Sequence, residues 1–323
     1  MNQYVHHSRQ TSVTFALILL TVVLAFCDVS SYQHRPAVGI LTTPLPDELS
    51  HYGNAIIPGS YVKWLDQGGH RVVFIPYEIE ERELAYILPS LSGVVLPGGW
   101  GMPSLSPKDP KDIAQHRTMK QIYDYAMGMN RAGNPFAIWA VCLGFEYTAI
   151  LAAGKNILTT TDSQNTQDPL WAGDIEGTRL LGALSDEMVA SAFKDPLFVN
   201  YHRYGVLPGD FNVYAGDDWR IVATQLDRQG LEYVAAIEHT DYPIYGVQWH
   251  PERAGYEARP SFPDVPTALK SMHVSHHMSM VFAEETRKSP AEYKLGNELL
   301  AQSYIEVVLN TPKDLPFETA YFF

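Results

Sequence analysis

The chain has 323 residues, 46% of them apolar and 18% charged, which excludes a disordered polymer and leaves room for one large domain or two ordinary ones. Its net charge of −13 argues against nucleic acid and anionic membrane surfaces as partners. Twelve histidines would offset part of that charge in an acidic compartment, because a free imidazole titrates near neutrality.

His6, His7 and Arg9 precede an uncharged run, Thr11 to Cys27, whose apolar centre is short for a membrane span. With the small residues Ala25 and Cys27 at its end, residues 1–27 read as a signal peptide. Cleavage there leaves Cys142 as the single cysteine, a lone thiol in an oxidising pathway with no internal disulfide to form. No Asn-x-Ser/Thr acceptor occurs, so N-glycosylation is not expected. The fold is expected to begin at about residue 36 and to run as one domain over 36–323.

Ala37 to Leu41 is a short apolar strand, and Asn54 to Gly68 carries apolar residues at helical spacing, closed by Gly68-Gly69. Arg71 to Pro76 is the next strand; Glu81 to Leu88 is a weaker helical segment, and the acidic run Glu78 to Glu83 reads as a solvated face. Gly93 to Leu96 is a strand ending in Pro97-Gly98-Gly99, and Ala114 to Arg131 is a long helix closed by Gly133. Phe136 to Val141 is a strand that runs through Cys142 straight into a helical pattern (Phe145, Ala149, Ile150, Ala153). Apolar strands separated by helices imply a mostly parallel, doubly wound α/β sheet covered on both faces, with reactive groups at the carboxyl ends of the strands. Further on, Phe198 to Tyr204 reads as a strand carrying His202, Arg220–Gln225 and Tyr233–Glu238 as a pair across Arg228-Gln229-Gly230, and Ile244 to Trp249 as the last strand of the series. Thr267 to Arg287 is a terminal helix, with His276 on a stripe of Leu269, Met272 and Met280 expected to face the core, and residues 288–323 form a tail.

A strand that turns sharply into a helix through one cysteine lifts the sulfur clear of the sheet, and the helix N-terminus favours its thiolate. Such a nucleophile needs a base, a group that orients the base, and donors for the oxyanion. His250-Pro251-Glu252, just after the last strand, offers base and orienter together. The loop at Gly98 and Gly99 can bring backbone N–H groups close to a substrate, and Leu143, following the nucleophile, adds another. His273 and His277 are four residues apart on the terminal helix but lack a third ligand nearby, so no metal site is expected. Lys63 and Arg203 read as solvated basic residues.

Pro97-Gly98-Gly99, Cys142-Leu143-Gly144 and Gly246-Val-Gln-Trp-His-Pro-Glu252 together resemble the class I glutamine-amidotransferase-like superfamily. Gly39-Ile-Leu-Thr42, Ser60-Tyr-Val-Lys63, Cys142-Leu-Gly-Phe-Glu146 and Tyr201-His202-Arg203 are similar to its gamma-glutamyl hydrolase branch, over nearly the whole mature chain. The resemblance implies a flavodoxin-like sheet and hydrolysis of γ-glutamyl amide bonds of folate poly-γ-glutamates through a thioester. By position it implies Cys142 as nucleophile, His250 as acid/base, Glu252 as orienting carboxylate, and Glu146 and His202 in the substrate pocket. Glu146 stands where amidotransferases usually carry Gln, and Ala140 where they usually carry Gly.

This reading needs no cofactor and no partner beyond a small-molecule pteroylpolyglutamate. It expects neither nucleic acid nor, after signal cleavage, membrane, and leaves a homodimer open. It places the enzyme in the secretory pathway, in a lysosome or vacuole or outside the cell. A glutaminase subunit feeding a synthetase, or an inactive binding homologue, are the alternatives.

Overall fold

Why the apolar strands stack in one order is visible in their pairing. In the computed structural model, which describes residues 35–257, 265–309 and 315–323, the strands are β1 (Ala37–Leu41), β2 (Thr43–Pro44), β3 (Ala55–Pro58), β4 (Arg71–Ile75), β5 (Gly93–Leu96), β6 (Ala137–Val141), β7 (Leu158–Asp168), β8 (Phe198–Val206), β9 (Trp219–Leu226), β10 (Glu232–His239), β11 (Ile244–Val247), β12 (Val307–Val308) and β13 (Thr319–Phe322). The helices are α1 (Gly59–Gln67), α2 (Glu81–Ile87), α3 (Pro110–Arg131), α4 (Leu143–Ala153), α5 (Asp186–Ala192), α6 (Pro208–Ala215) and α7 (Leu269–Arg287). The central sheet runs β4-β1-β5-β6-β11-β10-β9. Its first five strands are parallel, and β10 and β9 close the edge antiparallel. The mostly parallel, doubly wound α/β sheet expected from the sequence is the one observed. Pro36–Phe323 pack as one compact unit; the leader expectation over residues 1–27 lies outside the described residues.

Alternate side chains of each strand feed opposite cores, as the two-residue period of a strand requires. Val38, Ile40, Trp139 and Val141 face α1 and α7, where Trp64 and Phe282 are buried. Ala37, Leu41, Ile138 and Ala140 face the opposite core with Leu84, Met119, Ile122 and Phe145 of α2, α3 and α4. On the first side the rings of Trp64 and Trp139 lie 5.2 Å apart, with Phe282 5.8 Å from Trp139. The Trp64 indole donates to the Ser275 carbonyl at 3.0 Å, so its one polar atom is not stranded by burial.

Three sequence expectations change. The stretch from Asn54 is not one helix: Ala55–Pro58 is a strand and the helix starts at Gly59. Pro58 biases Ile57 toward extended backbone, and the distant β13 supplies the pairing partner. The tail therefore folds back, with Phe323 exchanging backbone hydrogen bonds with Ala55 and its ring 5.1 Å from that of Phe74. On α7 the stripe is reversed: Leu269, His276 and Met280 are exposed, while Val274, Met278 and Phe282 are buried. Met278 and Phe282, four apart, define the inward face, and His276 is a surface residue.

Truncating Phe282 removes a ring packed against Trp64, Trp139 and His70. Phe282→Ala is expected to lower the unfolding free energy by about 3–5 kcal/mol in urea titrations; a loss below about 1 kcal/mol would contradict this packing.

Candidate active site

The turn from β6 into α4 sets the geometry. Cys142 has φ 51° and ψ −108°, backbone that a non-glycine residue adopts only when its surroundings force it. The force is visible at Gly144: a Cβ there would lie 2.1 Å from the Leu96 carbonyl oxygen of β5. Only glycine lets α4 start this close to the neighbouring strand, and the Gly144 N–H donates to the Pro97 carbonyl at 3.2 Å. Ala140 lies fully buried within β6, paired with Leu96 and Gly246. Its methyl group leaves the sharp turn two residues later intact.

The expected base arrives from β11. The His250 N–H donates to the Val199 carbonyl of β8 at 3.0 Å, and Ser275 Oγ of α7 donates to the Pro251 carbonyl at 2.6 Å. The loop is thus tied on two sides. His250 Nδ1 and Glu252 Oε1 are 2.7 Å apart, both side chains being buried, while Nε2 has no partner among the described residues. A Cβ on Gly98 would sit 2.7 Å from His250 Cε1 and 3.3 Å from Cys142 Cβ. Imidazole and thiol therefore flank one small space that glycine leaves open.

The glycine loop after β5 is pinned. The Gly98 N–H donates to Tyr61 Oη and Thr43 Oγ1 donates to the Gly98 carbonyl, both at 2.9 Å. The Gly98 N–H is therefore already engaged, so of the expected oxyanion donors Gly99 and Leu143 remain. The Leu143 N–H is directed at the Cys142 sulfur and favours its thiolate.

Burial dominates the electrostatics. It pushes the Cys142 thiol well above its usual range, with the nearby Glu146 adding to the rise. It also holds His250 below the usual imidazole value, against the pull of Glu252. Both effects disfavour ions in a desolvated site, so the resting pair is neutral thiol and neutral imidazole.

The cleft has a volume of about 390 Å³ and is lined by Cys142, His250, Glu252, Gly98 and Gly99, by Tyr201 of the Tyr201-His202-Arg203 stretch, and by side chains no pattern singled out, notably Trp100, Arg253 and Phe317. Arg253 directly follows the His-Pro-Glu run, and its adjacency was the one available signal. Glu146 and His202 are buried and are not among the residues that line this cleft. Glu146, in the first turn of α4, is pushed to about 8 by burial, while Gln248 Nε2 donates to it at 3.1 Å. His202 is held at about 3 by burial; its Nδ1 is 2.7 Å from the Tyr204 carbonyl, and its ring packs edge-on against Tyr233 at 4.9 Å. Lys63 is bound to Glu306 at 3.0 Å, and Arg203 donates to the cleft-lining Gln164 at 3.1 Å. Among the described residues no three His, Cys, Asp or Glu side chains gather as metal ligands.

A thiol on a strained strand-to-helix turn, beside an imidazole oriented by a carboxylate, is the equipment of a cysteine-nucleophile hydrolase or acyl transferase. The Peptidase C26 family model matches residues 36–252, and the chain belongs to that family. It is 31% identical to "Gamma-glutamyl hydrolase B" of Dictyostelium discoideum, covering 86% of this chain and 79% of that one. It is also 31% identical to "Gamma-glutamyl hydrolase 2" of Arabidopsis thaliana, over 80% of this chain and 74% of the other, and 29% identical to "Gamma-glutamyl hydrolase" of Homo sapiens, over 82% and 81%. Among solved structures, the glutaminase domain of Trypanosoma brucei CTPS with bound acivicin aligns with a TM-score of 0.46 at 14% identity, over 81% of this chain and 98% of that domain.

Two outcomes follow from the charge states. With burial holding the thiol above its usual range, alkylation of Cys142 by iodoacetamide at neutral pH should be slower than that of free cysteine and should speed up as pH rises; a rate already independent of pH across the neutral range would contradict it. Glu146 has a folded value of about 8 against an ordinary 4.5, so the native state holds an extra proton between those values and loses stability as pH rises through that window. Glu146→Gln should therefore gain on the wild type, by on the order of 3 kcal/mol, between pH 5 and pH 8. An equal difference in urea titrations at both pH values would contradict it.

Proposed function

We infer that this protein is a cysteine-type γ-glutamyl hydrolase, and we propose folate poly-γ-glutamates as its substrates. The observation that carries the reading is the His250 imidazole, whose Nδ1 is held by Glu252 while Nε2 is left without a partner beside Cys142. Names shared by relatives across most of the chain support the substrate class.

The chemistry runs as a two-step acyl transfer. As the Cys142 sulfur attacks the γ-carbonyl carbon, its proton passes to His250 Nε2, and Glu252 steadies the imidazolium that forms. The carbonyl oxygen becomes an oxyanion held by the Gly99 and Leu143 N–H groups. The imidazolium then protonates the leaving amine, the C–N bond breaks and a thioester remains on Cys142. Water, deprotonated by His250, attacks the thioester and releases the γ-carboxylate, returning the proton to sulfur. A neutral resting pair suits this sequence, since the proton moves only as the carbon–sulfur bond forms. Glu146 and His202, buried near Cys142 and His250, serve the substrate pocket in this reading, both neutral at mildly acidic pH.

We also assign the enzyme to the secretory pathway, supported by the apolar run Thr11–Cys27 and the single remaining thiol. Among the described residues no helix is long and apolar enough to cross a membrane.

Cys142→Ala should reduce hydrolysis of pteroylpolyglutamate at least about 10⁴-fold, with circular dichroism and the thermal midpoint unchanged. Product lengths read by mass provide the assay, and retained turnover in the variant would end the assignment. Ammonia release from free glutamine in preference to polyglutamate would favour a glutaminase.

A further inference from the structure

We propose that Asn165 contacts the substrate from the wall of the cleft, and that Arg228, which does not line the cleft, is the positioning residue that holds it there. The proposal rests on the γ-glutamyl hydrolase reading and names a side chain that sets its specificity.

The ladder between β7 and β8 is interrupted at Asn165: Gln164 faces Tyr201 and Thr166 faces Asn200, so Asn165 is an extra residue without an opposite number. It has φ 59°, left-handed backbone that glycine adopts at no steric cost and asparagine at some. Bulges of this kind gather next to active sites, where they re-aim a side chain. Regular alternation would send neighbouring side chains to opposite faces of a strand, yet Gln164 and Asn165 both line the cleft. Tyr201, across the ladder from Gln164, lines it as well, with its ring edge-on to His250 at 5.9 Å. Asn165 is exposed, so core packing does not account for its side chain. A glycine would meet the backbone's need more easily, and the amide is what asparagine adds.

Left-handed backbone at a residue other than glycine persists where the surroundings hold it. Arg228, in the turn between β9 and β10, supplies the hold. Its Nη2 donates to the Gln164 and Asn165 carbonyls at 2.8 and 3.0 Å, and its Nη1 to Asp162 Oδ1 at 2.9 Å. The turn is itself fastened to β7: the Arg228 N–H donates to the Asp162 carbonyl at 3.1 Å, and the Asp162 N–H to Asp227 Oδ2 at 2.9 Å. An exposed ion pair such as Arg228–Asp162 adds little stability alone. Its effect here is geometric, since one planar fork spans a carboxylate and two successive carbonyls and so fixes three points of the bulge. Arg203 secures the neighbouring side chain, its Nε donating to Gln164 Oε1 at 3.1 Å. Gln164 is thereby committed, while Asn165 adds an amide, donor and acceptor together, to the cleft wall. A γ-linked glutamate chain carries amide and carboxylate groups along its length, and both pair with such an amide.

Two variants separate the amide from the backbone that carries it. Asn165→Gly keeps the left-handed turn and removes the amide; Arg228→Gln keeps the amide and releases the turn. Each should raise KM for γ-linked triglutamate about 5–10-fold. In each, kcat should stay within about twofold of the wild type, a split that mere loss of folded protein does not produce. Arg228→Lys, which keeps the charge but loses the fork, should fall between wild type and Arg228→Gln. In the double variant KM should be no higher than in Asn165→Gly alone, because Arg228 acts through the amide. An unchanged KM in Asn165→Gly, or a second rise of the same size when Arg228→Gln is added to it, would overturn the proposal. Calorimetric titration of Cys142→Ala with the same peptide reads binding without turnover, and Kd should rise by the same factor when either change is added. Binding that weakens in this way, in a protein whose wild type does not hydrolyse the peptide, would sustain the contact while sinking the hydrolase reading. Hydrolysis with KM indifferent to Asn165→Gly would do the reverse.

Discussion

The backbone at Cys142 is the constraint from which the site follows. A strand that ended in ordinary extended geometry would bury its last side chain in the sheet, as Val141 is buried one residue earlier. Turning φ positive at Cys142 redirects the chain within a single residue, so that sulfur faces the cleft while α4 starts against β5. Such a conformation costs about 1–3 kcal/mol. Here it is offset by what it permits: Gly144 seated on the Leu96 carbonyl, and Phe145, Ala149 and Ile150 of α4 packed into the core.

The other parts are brought to that sulfur by the order of the sheet. Strands β5, β6 and β11 are adjacent and parallel, so their carboxyl ends deliver the glycine loop, the cysteine and the histidine side by side, although these lie far apart in sequence. The antiparallel pair β7 and β8 then adds Tyr201, edge-on to His250 at 5.9 Å. The C-terminal segment adds Pro316 and Phe317. Burial that holds thiol and imidazole neutral also strengthens each hydrogen bond among the groups that take part.

Much of this was legible beforehand because it rests on local patterns. The apolar runs of β1, β4, β5, β6 and β11 are each buried on both faces, so they read as parallel strands. The passage from Val141 through Cys142 to Phe145 changes period within a few residues, which located the turn. Other elements rested on partners remote in sequence. Ala55–Pro58 read as helix because nothing nearby announces that Thr319–Phe322 pairs with it. Strand β7, rich in Thr, Asp, Ser, Gln and Asn and only partly buried, lacks the apolar alternation that would announce a strand. His276 was put on the wrong face because Leu269 and Met280, exposed in the fold, mimic an inward stripe. Arg253 escaped notice for a related reason: a basic residue is ordinarily solvated, and its burial between two rings depends on Phe317, far along the chain.

The central claim is that the Cys142 sulfur carries the acyl group between the two steps, and partitioning of that intermediate tests it most directly. Hydrolysis of a γ-glutamyl substrate would be run with hydroxylamine present, and the products and acid-quenched protein read by mass. A thioester predicts a γ-glutamyl hydroxamate that rises with hydroxylamine at constant total turnover when acylation limits the rate, and an acyl adduct on the peptide containing Cys142 when deacylation does. Rapid product formation with neither hydroxamate nor adduct would contradict it.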